Sequence, residues 1–279
     1  MGLLAQALAS GVVTGAIYAL IALSLVIVYK STDVINFAGG DVLMASCYVA
    51  LLALISAGLP YWASALAAVG AAAVIGAGFD RLVLERIGRS VRGQDVLVAM
   101  VTATIGLSYV LKGAVRLLSV SSEVRSLPSQ FLGPPIILGS VILLRQDIGI
   151  LATAAITGAA LFAFYRFTRL GRGMRAVAED PRAAALIGIP IVRMRMLSWA
   201  VACAVAAVAG LLVAPKILMT PDMGIIVILA FAAAVIGGFT NFPGVVIGGL
   251  LLGIIENLVA CTSRRKRSRW RRSSSSWWC

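Results

Sequence analysis

Residues 42–79 read VLMASCYVALLALISAGLPYWASALAAVGAAAVIGAGF, 38 positions without a charged side chain. About 20 apolar residues cross a ~30 Å hydrocarbon core. This run is therefore two crossings rather than one. Gly58-Leu59-Pro60 supplies the break between them, because proline lacks the N–H that a continuing helix needs. One helix is expected from about Ile35 to Ala57 and a second from Tyr61 to Phe79.

The same reading extends outward along the chain. Residues 1–29 carry no charge, and Leu8–Tyr29 is 22 residues long, enough for a first crossing. Further spans are expected at about Val96–Leu118, Ile148–Tyr165 and Met196–Val213. Met223–Ile255 is a last uncharged run of 33 residues. Gly237-Gly238, Pro243 and Gly244 split it into two. The fold class is all-α, a polytopic transmembrane helix bundle of about eight spans. Residues 119–147, with Pro128, Pro134 and Pro135, read as an extramembrane loop with some extended structure.

Composition agrees. Of 279 residues, 61 % are hydrophobic and only 13 % charged, against about 45–50 % and about 25 % in soluble domains. The chain has no histidine, which removes His-based triads and His metal sites. The four cysteines show no metal-ligand spacing, so no metal site is expected. There is no phosphate-cradling P-loop and no Asp-Lys-Thr-Gly motif, so the chain does not hydrolyse ATP. No constellation supports a membrane-embedded enzyme.

Net charge is +13, and seven of the 24 basic residues lie in the last 19 positions. The body is thus not a nucleic-acid binder. With the N-terminus outside, the inner loops hold 12 basic residues and the outer segments five, tail excluded. The positive-inside rule favours that orientation. Residues 1–260 form the membrane domain. Residues 261–279, with Arg264–Arg272, four serines and Trp277-Trp278, form a basic low-complexity tail. Two readings stand for it: a lipid-binding or nucleic-acid arm, and an aberrant end foreign to the membrane domain.

Two regions carry candidate function. The inner loop 166–195 reads as two short helices. Asp180-Pro181 starts the second, Asp as N-cap and Pro at the first helical position, and Gly188 ends it. Such a small-residue helix suits docking into a cytoplasmic partner's groove, or is a basic surface loop. The second region is Asn36-Phe37-Ala38-Gly39-Gly40-Asp41. Two glycines there allow a broken helix that opens backbone groups to a cavity; alternatively Asp41 caps a helix and the glycines pack closely. Thr102, Thr104 and Asn257 are polar positions within spans, and Glu256 is an acid deep in the last run.

Four blocks carry a family resemblance over about residues 8–260. They are Gly15–Leu23 running on to Ile35–Asp41; Thr104-Ile105-Gly106-Leu107-Ser108; the inner loop from Thr168; and Ile236-Gly237-Gly238, Pro243-Gly244, Gly248-Gly249 with Gly253–Asn257. The sequence resembles permease subunits of branched-chain amino acid ABC importers, of the LivH type. The resemblance implies a bacterial inner-membrane protein that translocates branched-chain or similar small amino acids, without enzymatic activity or cofactor of its own. ATP would be used by a partner. The implied partners are cytoplasmic ATPase subunits, a second related permease, an extracytoplasmic solute-binding protein and membrane lipid, with no nucleic acid. The substrate-pathway candidates are Asn36, Gly39, Gly40, Asp41, Thr102, Thr104, Glu256 and Asn257.

The wider class has a Glu-Ala-Ala-x-x-x-Gly consensus in the helix that docks on the ATPase. This chain has Arg182-Ala183-Ala184 and then Gly188, keeping the spacing without the acid. The coupling candidates are Arg172, Gly173, Arg175, Arg182, Ala183, Ala184 and Gly188. The chain departs from the family at Gly39, often His there, and after Asn257, where the family continues into an outer loop and a further apolar helix. A proton-coupled secondary transporter using Asp41 or Glu256 is the alternative.

Overall fold

Helices account for nearly all of the computed structural model, which describes residues 2–91, 95–118, 126–128, 133–138, 141–239 and 241–274. In chain order they are α1 (Gly2–Thr32), α2 (Gly39–Ser56), α3 (Tyr61–Phe79), a π-helical turn (Asp80–Leu84), α4 (Glu85–Ser90) and α5 (Asp95–Arg116). After the hairpin β1 (Ile136–Leu138) and β2 (Val141–Leu143) come α6 (Arg145–Phe167), α7 (Arg169–Glu179), α8 (Pro181–Leu186) and α9 (Ile191–Val213). A 3-10 turn (Met223–Ile225), α10 (Ile226–Gly237) and α11 (Phe242–Ser274) complete it.

The described residues contain seven helices long and apolar enough to cross a membrane, where the sequence suggests about eight. The chain does break where expected, between Gly237 and Phe242, with Gly238 at φ +82°. That leaves Met223–Gly237 as a shorter apolar helix. The 12 residues of α10 rise roughly 18 Å at 1.5 Å each, short of a ~30 Å core. The break after Ala57 also falls as expected, with Gly58 at φ +60° and α3 starting on the Pro60 cap.

The second helix starts later than its apolar run suggests. Residues 33–38 are non-helical or turn, and α2 begins at Gly39. Asn36 Oδ1 accepts from Ala38 N at 3.0 Å. An Asn side chain that bonds its own downstream backbone competes with the helix ladder. The expected extended structure in the loop before α6 is the antiparallel hairpin, with Ile136 paired to Leu143. Gln6 of α1 holds it: Gln6 Nε2 donates to Ile142 O at 2.9 Å and Ile142 N donates to Gln6 Oε1 at 2.8 Å.

At the centre α1 lies antiparallel to α11. Gly11 meets Ile254, Gly15 meets Leu250 and Gly249 meets Ala19. A Cβ on Gly15 would fall 2.7 Å from Leu250 Cα, and one on Gly253 2.3 Å from Gly15 N. Small residues four apart on both helices let the backbones touch, as membrane helices require in the absence of a hydrophobic drive between them. α3 lies antiparallel to α9 in the same way, with Gly76 against Trp199 O and Asp80 Oδ1 accepting from Arg195 Nε at 2.8 Å. Asp80 is fully buried, and the ion pair offsets the cost of placing it there.

These contacts give the bundle two faces. One carries the start of α1, the hairpin and the Lys216–Asp147 ion pair. The other carries Lys30 over the Phe242 ring, Tyr29 against Phe239, the Asp80–Arg195 pair, α7 and α8. The helix of α11 continues through the basic segment to Ser274, where the low-complexity reading expects no core element. Arg and Lys are good helix formers, so a run started by the apolar span propagates into them. Positions 275–279 lie outside the described residues.

Candidate functional site

The first turn of α2 and the residues just before it meet the 3-10 turn and α5. Gly40 lies so close to the 3-10 turn that a Cβ on it would fall 2.2 Å from Gly224 O. One residue on, Asp41 is buried, at 5 % exposure. Ser108 of α5 donates its hydroxyl to Asp41 Oδ2. Lys112, one turn further along α5, places Nζ 3.6 Å from Asp41 Oδ1. That oxygen accepts no hydrogen bond among the described residues and lies beside Gly224. Thr104, one turn before Ser108, is fully buried and its Oγ1 accepts from Phe37 N at 3.4 Å.

Thr104, Ser108 and Lys112 therefore form an i, i+4 column on one face of α5, aimed at the break before α2. The column ends at Arg116, whose Nη2 stands 3.8 Å from Asp222 Oδ1 at the edge of the 3-10 turn. The cluster has one buried carboxylate, one ammonium and the positive end of the α2 dipole within a few ångströms. It can hold a small molecule that carries both charges. Gly40 and Gly224 lie in backbone contact beside it.

The structure brings together Asn36, Gly39, Gly40, Asp41 and Thr104. It does not bring Thr102, which is exposed and donates to Val98 O. Glu256 and Asn257 stand elsewhere, on the α1–α11 seam. Tyr18 donates its hydroxyl to Glu256 Oε2 at 2.8 Å, and Asn257 Nδ2 donates to Gly253 O and Thr14 Oγ1. Their visible work is to join two helices. Sequence reasoning named neither Lys112 nor Ser108 as a substrate-pathway candidate. The signal for both was the four-residue spacing from Thr104.

The loop after α6 forms the second candidate site. Thr168 Oγ1 caps α7 by accepting from Gly171 N at 2.9 Å. Asp180 Oδ1 caps α8 by accepting from Arg182 N at 2.8 Å and Ala183 N at 3.1 Å, with Pro181 in the first position. Gly188, at φ +82°, ends the motif as the sequence suggests. α7 buries Gly171, Met174 and Val177 and turns Arg172 and Arg175 outward. Gly173 faces Met194, and Ala184 is 3 % exposed, so both look into the bundle. Arg182 and Ala183 are exposed, and Leu186 and Ile187 are 89 % and 75 % exposed. The outward apolar tip of the loop is thus Leu186-Ile187, which sequence reasoning passed over, rather than Ala184. Among the described residues there is no group of His, Cys, Asp or Glu suited to a metal ion.

Comparison with known proteins identifies the family. The family profile described as branched-chain amino acid transport system / permease component matches residues 7–270. The chain is 37 % identical over 265 residues to the high-affinity branched-chain amino acid transport system permease protein LivH of Escherichia coli K12, covering 91 % of this chain and 85 % of that protein. It is 35 % identical over 260 residues to BraD of Pseudomonas aeruginosa, a permease protein of the same kind of system, covering 90 % and 84 %. It is 29 % identical over 248 residues to a probable branched-chain amino acid transport permease of Methanocaldococcus jannaschii, covering 86 % and 76 %.

Proposed function

Because the chain belongs to the branched-chain amino acid transport permease family, we propose that the Asp41 cluster is the gate through which the amino acid crosses. The protein is a multi-pass membrane permease component of such a transport system, a transporter and not an enzyme. As a component it works with other members of its system.

An amino acid crossing the bilayer brings an ammonium and a carboxylate, each costly to desolvate. Asp41 Oδ1 faces Lys112 Nζ at 3.6 Å without a hydrogen bond, and an incoming ammonium can take the place of Lys112 there. Lys112 and the start of α2 attract the carboxylate. The apolar side chain needs only a dry wall. The buried Asp41 carboxylate, paired with Lys112 at 3.6 Å and set beside the Gly40–Gly224 backbone contact, is the observation that supports this reading. Substrate passage requires the start of α2 to part from the 3-10 turn. Interactions made at Asp41 and Lys112 in the closed state would then be exchanged for interactions with the substrate.

The force comes from the opposite face. With the loop side in the cytoplasm, as the basic residues favour, α7 and α8 meet ATP-binding subunits in a bacterial inner membrane. Leu186 and Ile187 seat in the groove of such a subunit, and Arg172 and Arg182 flank them. A second permease subunit completes the membrane unit, and a solute-binding protein delivers substrate on the hairpin side.

The test is leucine uptake into proteoliposomes holding the chain with its system's other components. ATP-dependent uptake that a protonophore leaves intact is expected. Uptake driven by a proton gradient without ATP would instead support the secondary-transporter alternative.

A further inference from the structure

An open groove of about 470 Å³ runs between α1, α6 and α11, away from the Asp41 cluster. It exists because the facing positions are small. Ala19 lines it from α1, Ala155 and Gly158 from α6, while Leu250 of α11 forms part of its far wall. A Cβ on Gly158 would meet nothing within 4 Å. At the loop side the lining changes character, to Arg166 at the end of α6 and Arg175 on α7. From Ala155 to Arg166 the helix rises roughly 16 Å, about one leaflet of a ~30 Å core.

We infer that this groove binds one acyl chain of an anionic phospholipid of the cytoplasmic leaflet, with its phosphate held by Arg166 and Arg175. The dimensions favour a lipid chain over a protein helix. Over the roughly 22 Å of α6 that lines the groove, its volume amounts to a mean cross-section on the order of 20 Å². A helix about 10 Å across needs roughly four times that.

Charge favours an anion. Neither arginine forms an ion pair among the described residues. Arg166 lies 5.9 Å from the Phe162 and Phe167 ring centroids, which holds its guanidinium at the interface. The adjoining small polar pocket adds Lys30 and one acid, Glu179. The end of the groove is therefore net positive. Basic pockets between spans on the cytoplasmic side suit anionic headgroups, and a guanidinium binds phosphate bidentately.

The experiment is native mass spectrometry of the full chain in detergent, titrated with dioleoylphosphatidylglycerol and, separately, dioleoylphosphatidylcholine. Retention of phosphatidylglycerol should exceed that of phosphatidylcholine on the order of tenfold. The double variant R166Q/R175Q should lose that preference and still retain phosphatidylcholine as wild type does. Gly158→Phe, at a position where an added Cβ meets nothing within 4 Å, should fill the groove and lower retention of both lipids. Equal retention of the two lipids by wild type overturns the assignment, as does a preference that survives R166Q/R175Q. Gly158→Phe leaving lipid retention intact while abolishing association with a second membrane subunit would assign the groove to a protein helix instead.

Discussion

If Asp41 and Lys112 work as a pair that exchanges partners with a zwitterion, their removal should cost stability unequally and transport equally. Lys112→Met leaves the Asp41 carboxylate at 5 % exposure with Ser108 as its hydrogen-bond donor. At 3.6 Å and an effective dielectric of about 20, the lost attraction is roughly 4–5 kcal/mol before solvation is counted. The Lys112 side chain is 28 % exposed, so part of that is already screened, and a net loss of about 2–4 kcal/mol is expected. Asp41→Asn is milder. The amide oxygen still accepts from Ser108, and Lys112 can extend its ammonium toward water, so about 1 kcal/mol is expected. The double variant D41N/K112M leaves no stranded charge and should recover most of what Lys112→Met loses, a coupling of about 2–4 kcal/mol. Denaturant-induced unfolding in nanodiscs measures the stabilities, and leucine uptake in proteoliposomes measures transport. All three variants should fall at least tenfold in uptake, the well-folded double variant included. Wild-type uptake by D41N/K112M would refute the gate and leave the pair a packing device. Lys112→Met as stable as Asp41→Asn would refute the burial argument.

Gly253→Leu should prevent folded protein from accumulating, because its Cβ would fall 2.3 Å from the α1 backbone at Gly15; a detergent-extracted monodisperse peak on gel filtration, equal to wild type, would contradict the packing. Leu186→Glu with Ile187→Glu should abolish co-purification of the ATP-binding subunit and ATP-driven uptake with membrane insertion unchanged, whereas Ala184→Trp should lower stability by about 1–3 kcal/mol through overpacking. Undiminished co-purification of the double glutamate variant would move docking elsewhere. Arg172→Cys should react with an impermeant maleimide only from the cytoplasmic side and Pro135→Cys only from the other, and labelling of both from one side would reject the two-faced topology. Deleting residues 262–279 should leave membrane insertion and the α1–α11 seam intact, since Tyr18–Glu256 and Asn257–Thr14 lie before the cut; loss of insertion would make the basic tail part of the membrane domain.

The spans were legible because hydrocarbon imposes a length and a charge rule that single residues reveal. Pro60 and the Gly237–Gly244 cluster mark their breaks locally, since proline removes a donor and glycine reaches φ above zero wherever they stand. The caps of α7 and α8 were legible for the same reason, as Asp180-Pro181 and Gly188 act on their own backbone. The start of α2 was missed because Ile35-Asn36-Phe37-Ala38 is apolar enough to continue a span. The Asn36 side-chain bond to Ala38 N is what diverts it. The length of the seventh expected span was missed for a different reason. An uncharged run of 33 residues suggests two spans, yet the break divides it unevenly, and the first piece is left too short.

Half of the proposed gate could be read from the sequence. Asn36 through Asp41 stand together in the chain, so their glycines and their carboxylate declare a broken helix. The partners come from 67 and 71 positions away, Ser108 and Lys112 of α5, and from Gly224. No local pattern sets those distances; the packing of α5 and the 3-10 turn against α2 does. The same fold that joins Thr104 to this group excludes Thr102, two positions along, because a helix advances 100° per residue and turns the two threonines to opposite sides. Polar type alone therefore selected too many residues, and the face they occupy selected among them. Ala184 obeys the same rule in reverse: the spacing of its motif was kept, but its place on α8 points it inward, and the residues that remain available to a partner are the apolar pair just beyond it.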